Sequence, residues 1–493
     1  MGNFSSVDRE FHRRAQLIPR LGLGLSVDVY TPDIFELMTR FTGLDAQPGY
    51  LEIFRASLPA LQAVRQRFPS MPFTYHGEGL WVTQPDFPTT PFVEDEIDEI
   101  VHHLDVLESP WLNHECATKQ MAGYSFGTYL PPLYTELSAR VAADNISLIQ
   151  RKLDRTGRRR QQLGPLYLLE LAPLTYFMVG TVSIPRFFRL VTELAPCGLV
   201  LDIGHLWTVY RYACARQELS LEQFVDRFLD EFPVERVIQI HIAGLGNHES
   251  SASCLTDAGP PWWVDSHPSP IQSVSFSMLE QVLAHPRLVN LRGVALEVDT
   301  KSIETIIEEF HEATVRYGPM IQRRMAEHQA RTESPPHVVD RFIKSETVEE
   351  IDREYLQAGY ARYARVITGQ LPPAGPEWQA VEEDQGGLDR YVHEYLPHEI
   401  LHWGGVISDM FPETFRGLSE VGIELESFVS WWFQTARPID RPYDFFLLKI
   451  ERLLAFVTEQ APGLLPPAVK EAGSLRLAYA EANDAVHSAM EKT

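Results

Sequence analysis

Gly198-Leu-Val-Leu-Asp202 is a short apolar run that ends on a carboxylate, and the same arrangement returns along the chain. Leu166-Tyr-Leu-Leu-Glu170, Val237-Ile-Gln-Ile-His241 and Val294-Ala-Leu-Glu297 each have the pattern of a buried strand that ends on a polar side chain able to bind a metal. Amphipathic stretches alternate with these runs, which is typical of repeated strand–helix units. Eight such strands over roughly the first 300 residues predict an α/β fold, a single (β/α)8 TIM barrel.

The eight predicted strands all lie in the first part of the chain, whereas the last part has none. Residues 1–325 are predicted to form the barrel, residues 326–340 a polar linker with a proline pair, and residues 341–493 a smaller all-α domain of about five helices. The predicted strands lie near Leu21–Val29, Tyr50–Arg55, Pro72–His76, Trp111–His114, Leu166–Leu171, Gly198–Ile203, Val237–Ile242 and Gly293–Val298.

Nine imidazole and carboxylate side chains follow one another in a particular order, most of them at predicted strand ends. Because the C-terminal ends of barrel strands meet at one face, these side chains are expected to converge there. Carboxylates clustered in an apolar barrel mouth repel one another unless cations bind. Nine ligands are too many for one ion and suit two or three. The predicted metal ligands are His76, His114, Glu170, Asp202, His205, His241, Asp265, His267 and Glu297.

Net charge and cysteine spacing argue against several classes of protein. The formal net charge of -24 argues against a nucleic-acid partner, which normally requires a basic surface. The four cysteines form no Cys-x-x-Cys pair, which disfavours a thiolate zinc site and a secreted disulfide scaffold. The sequence shows no signal peptide and no apolar run long enough to cross a membrane, so a cytoplasmic protein without a membrane partner is expected.

Several sequence motifs around the nine side chains are similar to those of a known family. They are Gly22-Leu-Gly-Leu-Ser26, His76-Gly-Glu-Gly-Leu80, His241-Ile-Ala-Gly244 and Asp265-Ser-His-Pro-Ser-Pro-Ile271. Residues 20–300 thereby resemble the multinuclear non-haem iron-dependent oxidative enzymes, xylose-isomerase-like TIM barrels that modify ribosomally made peptides in natural product biosynthesis. The resemblance implies two or three iron ions, for which a mixed-valent state is one option, and dioxygen as the co-substrate. It also implies a precursor peptide as substrate and an accessory recognition protein as a further partner.

The resemblance also implies how the ligands are shared. One ion would be held by His76, His114 and Glu170, and Glu170 would bridge to a second ion held also by Asp202, His241 and Glu297. A third ion would be held by His205, Asp265 and His267. Glu170, Asp202 and His241 are the expected catalytic residues.

The same ligand order is also similar to that of the trinuclear zinc apurinic endonuclease. His205 stands where the oxidative family has an asparagine, which is closer to the endonuclease. Imidazole and carboxylate suit iron, zinc or manganese, so the ligand types leave zinc open as an alternative. The leading function is therefore an iron- and dioxygen-dependent oxidation of a peptide residue, most often cysteine in the family. The alternatives are a zinc-dependent phosphodiesterase, endonuclease or sugar isomerase of the same superfamily, and a noncatalytic partner.

A second set of candidate ligands occurs in the helical domain. Glu399-x-x-His402 and Asp484-x-x-His487 are carboxylate-x-x-histidine pairs on separate predicted helices, a pattern that builds di-iron sites in helical bundles. The domain faintly resembles haem-oxygenase-like diiron proteins. The alternative is an ordinary helical module that recruits a peptide or a partner.

Overall fold

Eight parallel strands close into a barrel. The computed structural model describes residues 5–159, 163–213, 219–246, 264–327, 348–383, 386–437 and 445–490, without the side chains of 156–159, 264–265, 327, 382–383 and 481–490. Its strands are β1 Gly22–Val27, β2 Leu51–Phe54, β3 Phe73–His76, β4 Trp111–Glu115, β5 Thr118–Met121, β6 Tyr124–Leu130, β7 Leu166–Glu170, β8 Gly198–Asp202, β9 Val237–Ile242, β10 Leu245–Gly246, β11 Val264–Asp265 and β12 Gly293–Glu297. The barrel order is β1-β12-β9-β8-β7-β4-β3-β2, and every neighbouring pair is parallel. The predicted TIM barrel is confirmed, with all eight predicted strands.

Amphipathic helices surround the barrel and bury their apolar faces against it. Local signals set several of their ends: Ser5 and Ser220 each accept from the backbone N–H three residues on and open a capping box. The helices of this part are α1 Ser6–Leu17, α2 Ile34–Phe41, α3 Leu58–Arg67, α4 Val93–Leu107, α5 Glu136–Arg159, α6 Ile184–Leu194, α7 Ile203–Thr208, α8 Leu221–Glu231, α9 Ser273–Ala284 and α10 Ile303–Glu327.

Helix α1 closes the N-terminal end of the barrel. Phe11 and Ala15 are fully buried and pack with Trp111, Leu168 and other residues that point into the barrel. The interior therefore has an apolar floor, and polar side chains concentrate at the opposite end, where the strands finish.

Side-chain alternation along each strand sorts residues between the barrel interior and the layer under the helices. On β4, Trp111 belongs to the interior cluster, whereas Leu112 belongs to the core between the barrel and its helices. The same alternation on β8 places Val200 inside and Leu201 outside. Since the side-chain period of a strand is two, this parity decides which strand-end residues face the interior.

An antiparallel hairpin, β5–β6, follows β4 on the side where the strands end, and the helical domain packs against it. Phe126 and Leu130 of the hairpin share one hydrophobic core with Ile400, Phe428 and other residues of that domain. Its helices are α11 Glu350–Ile367, α12 Gln379–Glu383, α13 Gly386–Arg390, α14 Leu396–His402, α15 Ile407–Met410, α16 Pro412–Glu420, α17 Leu425–Trp432, α18 Phe445–Gln460 and α19 Leu465–Met490.

The helical domain differs from the sequence-based expectation in its subdivision. Its described residues form nine helices where about five were expected. Gly404, Gly405 and Gly422 adopt positive φ and end helices where apolar periodicity predicts continuity. The predicted linker, residues 326–340, lies almost wholly outside the described residues. Within the described part of the chain, no helix combines the length and the apolar character needed to cross a membrane.

Candidate metal centre

Four side chains converge at the C-terminal mouth of the barrel. Glu170, Asp202, His241 and Glu297 each offer a ligand atom, and these atoms all lie within 4.8 Å of one another. They come from four strands that are neighbours in the barrel, β7, β8, β9 and β12, and all four are buried. Ligands to one ion lie about 2 Å from it, so atoms this close fit a shared metal after small side-chain movements.

His241 lies between carboxylates on both of its sides. Its Nδ1 is 3.1 Å from Glu170 Oε1 and 3.2 Å from Glu297 Oε1, and its Nε2 is 2.7 Å from Glu52 Oε1. Burial lowers the pKa of His241, but Glu170, Glu52 and Glu297 outweigh this and raise the pKa well above its ordinary value. The position therefore attracts positive charge, which a proton or a metal ion can supply.

Glu52 is a part of the site that the strand-end pattern missed. It lies on β2, is fully buried, and its Oε2 accepts from Thr74 Oγ1 and Trp111 Nε1, each at 3.3 Å. A carboxylate behind a metal-binding imidazole fixes the tautomer and the ring orientation. The available signal was a charged residue in the middle of the apolar run Leu51-Glu-Ile-Phe54.

Glu170 directs its two oxygens toward two different imidazoles. Oε1 faces His241, whereas Oε2 lies 3.2 Å from His76 Nε2 and accepts from Asn113 Nδ2 at 2.6 Å. Burial opposes ionisation of Glu170, but His241 and His76 outweigh it and hold its pKa well below the usual range. This is the arrangement expected of a carboxylate shared by two cations.

His76, at the end of β3, has a second carboxylate nearby. Its Nε2 lies 3.7 Å from Glu115 Oε1. Burial lowers the pKa of His76, but Glu115, Glu170 and Glu52 together raise it to about 10. His76 and Glu170 thus form a second corner of the cluster, beside the four convergent ligand atoms.

Both ring nitrogens of His114 form hydrogen bonds with backbone groups. Its Nε2 accepts from the Leu80 N–H at 2.9 Å, and its Nδ1 donates to the Glu115 carbonyl at 3.0 Å. Burial lowers the pKa of His114 to about 4, so the ring is neutral near pH 7. Its ring packs edge-on against Trp81.

His205, on helix α7, and His267, in the turn after β11, also approach the cluster. The Asp202 carboxylate caps α7 by accepting the His205 N–H at 2.6 Å, and His205 Nδ1 donates to the Leu171 carbonyl at 2.7 Å. His205 Nε2 lies 3.8 Å from Asp202 Oδ1. His267 Nε2 lies 3.4 Å from Glu297 Oε2. The side chain of Asp265, the third predicted ligand of this group, lies outside the described residues.

A cluster of polar and aromatic side chains covers the site where the β5–β6 hairpin meets the helical domain. Lys119 pairs with Glu78, and its ammonium lies 4.2 Å from the Tyr129 ring centroid and 4.8 Å from that of Trp403. Lys119 and Tyr129 lie on the β5–β6 hairpin and Glu78 lies in the loop after β3, while Trp403 follows α14. The helical domain therefore contributes directly to the surroundings of the barrel mouth.

The second predicted ligand set is described only in part. His398 and His402 stack with ring centroids 4.2 Å apart, and Glu399 between them is buried. The side chains of Asp484 and His487 lie outside the described residues, so the di-iron interpretation stays a prediction.

The comparisons with known proteins place the barrel in one family. Residues 21–316 match the model of the RiPP precursor modification enzyme MbnB/TglH/ChrH, where RiPP denotes a ribosomally synthesised and post-translationally modified peptide. A UPF0276 protein of Acaryochloris marina (strain MBIC 11017) is 24% identical over 257 residues, 51% of this chain and 79% of that protein. A UPF0276 protein of Rhizobium meliloti (strain 1021) is 27% identical over 159 residues, 32% of this chain and 44% of that protein.

Solved structures similar to the chain are distant in sequence. Endonuclease IV from Thermus thermophilus is 16% identical with a TM-score of 0.35, covering 60% of this chain and 98% of its own. A sugar phosphate isomerase/epimerase from Parabacteroides distasonis is 11% identical with a TM-score of 0.36, covering 61% and 96%. Neither score carries a functional argument, and the fold rests on the strand order above. The family match spans more than half of the chain and contains the barrel with its strand-end cluster, so the chain belongs to the MbnB/TglH/ChrH family of RiPP precursor modification enzymes.

Proposed function

We propose that this enzyme uses iron and dioxygen to oxidise a residue, cysteine in the first instance, of a ribosomally made precursor peptide. The family supports a peptide substrate, and the buried cluster of carboxylates and imidazoles supports a metal. The observation that carries the proposal is Glu170, whose two oxygens face His241 and His76 within a cluster of convergent ligand atoms. This geometry favours at least two ions over one.

The proposed ligands divide into three groups around Glu170. The central group is the four-atom cluster, a second group combines His76 with Glu170, and the third group is His205, Asp265 and His267. Iron bound there would supply redox chemistry with dioxygen and an open position for a substrate thiolate. Glu52 would hold His241 with Nδ1 directed at the cluster, and Asn113 would orient Glu170 through its amide.

We propose that the peptide enters the site beside the cluster of Lys119, Glu78, Tyr129 and Trp403 that covers it. Lys119 of the β5–β6 hairpin pairs with Glu78 of the loop after β3 and lies against the Trp403 ring, so the helical domain is placed to engage a bound chain. We therefore propose that this domain contributes to peptide recruitment, with an accessory recognition protein as a further partner. The same arrangement would exclude water from the buried ligands.

The test is anaerobic purification of the full chain, metal analysis and oxygen-uptake assays. The substrates are synthetic cysteine-containing peptides and their serine counterparts, with bis(p-nitrophenyl) phosphate as a phosphodiesterase probe. Iron with oxygen uptake and a mass change that both require the peptide cysteine supports the proposal. Zinc with phosphodiesterase activity overturns it in favour of hydrolysis, and a protein that binds no metal overturns it in favour of a noncatalytic partner.

A further inference from the structure

We propose that Glu115, and not His114, supplies the metal ligand from β4 at the corner formed by His76 and Glu170. This inference rests on the proposed function, because it concerns a ligand within the same metal centre. It adds a carboxylate outside the nine residues selected from the sequence and removes one imidazole from them.

Strand parity places Glu115 and His114 on opposite sides of the barrel wall. Trp111 lies in the interior cluster, and Asn113 donates to Glu170 across the interior. Because side chains of one face recur every second residue, Glu115 continues this interior row. Leu112 belongs to the outer core, and His114 continues the outer row. The interior position agrees with the parallel register, in which Glu115 pairs with Glu170.

His114 has no ring nitrogen left for a metal in this arrangement. An imidazole nitrogen carries either one proton or one lone pair. Nδ1 is the donor to the Glu115 carbonyl, and the lone pair of Nε2 accepts the Leu80 N–H. Coordination through Nε2 would leave the amide of Leu80, a fully buried residue, without this partner.

Unlike His114, Glu115 has a buried side-chain oxygen that makes no hydrogen bond among the described residues. The residue is 6% exposed, its Oε1 lies 3.7 Å from His76 Nε2, and its Oε2 has no hydrogen-bond partner among the described residues. The neighbouring Tyr129 hydroxyl donates to Glu78 Oε1 at 3.3 Å. A buried carboxylate oxygen left in this way is costly, whereas a cation held between His76, Glu115 and Glu170 would satisfy it. Imidazole with two carboxylates is a ligand set that suits iron, zinc or manganese.

The experiment is a titration of the metal-free full-length protein with Zn²⁺, which reports the number of ions and the affinity of each. Glu115→Gln keeps the shape but removes the anionic ligand, and we expect it to weaken one ion at least about tenfold. His114→Gln, whose side-chain carbonyl can still accept the Leu80 N–H, is expected to keep the wild-type count. Glu36→Gln, an exposed change on α2, is the matched control.

The outcomes separate this inference from the proposed function. An unchanged titration of Glu115→Gln, or loss of an ion from His114→Gln in a protein of unchanged melting temperature, overturns the inference alone. A wild-type protein that binds no ion overturns the metal centre and the inference together. If His114→Gln does not fold, anomalous diffraction from zinc-loaded wild-type crystals decides. We expect a Glu115 oxygen about 2.0–2.2 Å from an ion, and His114 Nε2 at that distance instead would contradict us.

Discussion

Glu52 shows how a residue remote from the strand ends can govern the metal centre. Its Oε1 lies 2.7 Å from His241 Nε2, on the side of the ring opposite to Glu170 and Glu297, and both partners are fully buried. With Nε2 beside Glu52, Nδ1 is the ring nitrogen that faces the cluster. A positioning carboxylate of this kind adjusts the basicity of the ligand without touching the metal.

The corresponding prediction is that Glu52→Gln lowers metal affinity about 10- to 100-fold while the fold is kept. The amide fills the same space but lacks the charge that polarises His241. Metal content after dialysis against graded chelator measures the effect, with the exposed Glu36→Gln as control. Equal retention of metal by the two variants would show that Glu52 plays no part in positioning.

The residues of the centre illustrate what a single sequence reveals. Short apolar runs that end on Glu170, Asp202, His241 and Glu297 are enough to predict that these side chains meet, and they do. Glu52 was missed because it lies inside a run and not at its end. Glu115 was missed because strand ends were considered without the two-residue alternation. The folded barrel, through the register of β4 with β7, shows which of the two alternating faces of β4 points into the interior.

At the scale of elements, the β5–β6 hairpin joins the barrel to the helical domain. Gly127 on β6 has φ +74°, and an added Cβ would lie 2.4 Å from the Phe445 ring of α18. At the hairpin turn, the Gly123 carbonyl accepts the Arg437 N–H at 2.7 Å. The hairpin is therefore held by close backbone approaches, which no apolar periodicity signals.

We predict that Gly127→Ala destabilises the protein by about 2–4 kcal/mol, from positive-φ strain and overpacking together. Gly369→Ala is the matched control, because Gly369 has φ +72° and no atom within 4 Å of an added Cβ. It should cost only about 1 kcal/mol. Urea denaturation of both variants measures the difference, and equal losses would contradict the close packing of the hairpin against α18.

Helix α18 also carries a buried lysine, Lys449, that makes the free energy of unfolding depend on pH. Lys449 donates to the carbonyl oxygens of Trp403 and Gly405, and burial, opposed only in part by Glu399, lowers the pKa of Lys449 to about 7. Between this pKa and the ordinary value of 10.5, the unfolded chain binds a proton that the folded chain does not. The free energy of unfolding therefore rises with pH across this window, by up to about 1.4 kcal/mol per pH unit.

Lys449→Met should lose this contribution to the slope, whereas the exposed Lys470→Met should keep it. The measurement is urea denaturation of the three proteins at about pH 7.5 and about pH 9. A wild-type slope no steeper than that of Lys449→Met would mean that Lys449 stays protonated in the folded protein.

At the scale of the whole molecule, the barrel and the helical domain share a core. Phe126, Leu130 and Tyr176 of the barrel part pack in one hydrophobic cluster with Tyr360 and Phe428 of the helical part. Tyr360 also hydrogen-bonds Ser138 and the Leu133 N–H across the interface. The sequence predicts the two parts from the change in periodicity, but contacts between distant segments leave no periodic signal.

The shared core predicts that the two parts unfold together. Calorimetry of the metal-free protein should show a single transition with a calorimetric enthalpy close to the van't Hoff enthalpy. Tyr360→Phe should lower this one transition, because the variant leaves the buried Leu133 N–H without its partner. Two separate transitions, of which Tyr360→Phe shifts only one, would show that the parts are independent.

The central claim is that the barrel mouth holds more than one metal ion and that Glu170 is shared between them. The most direct measurement is the metal stoichiometry of iron-reconstituted wild type and Glu170→Ala, with the exposed Glu308→Ala as control. We predict two or three ions in wild type and in the control, and a loss from more than one site in Glu170→Ala. An unchanged stoichiometry in Glu170→Ala, or a wild-type protein that binds no metal, would contradict the account.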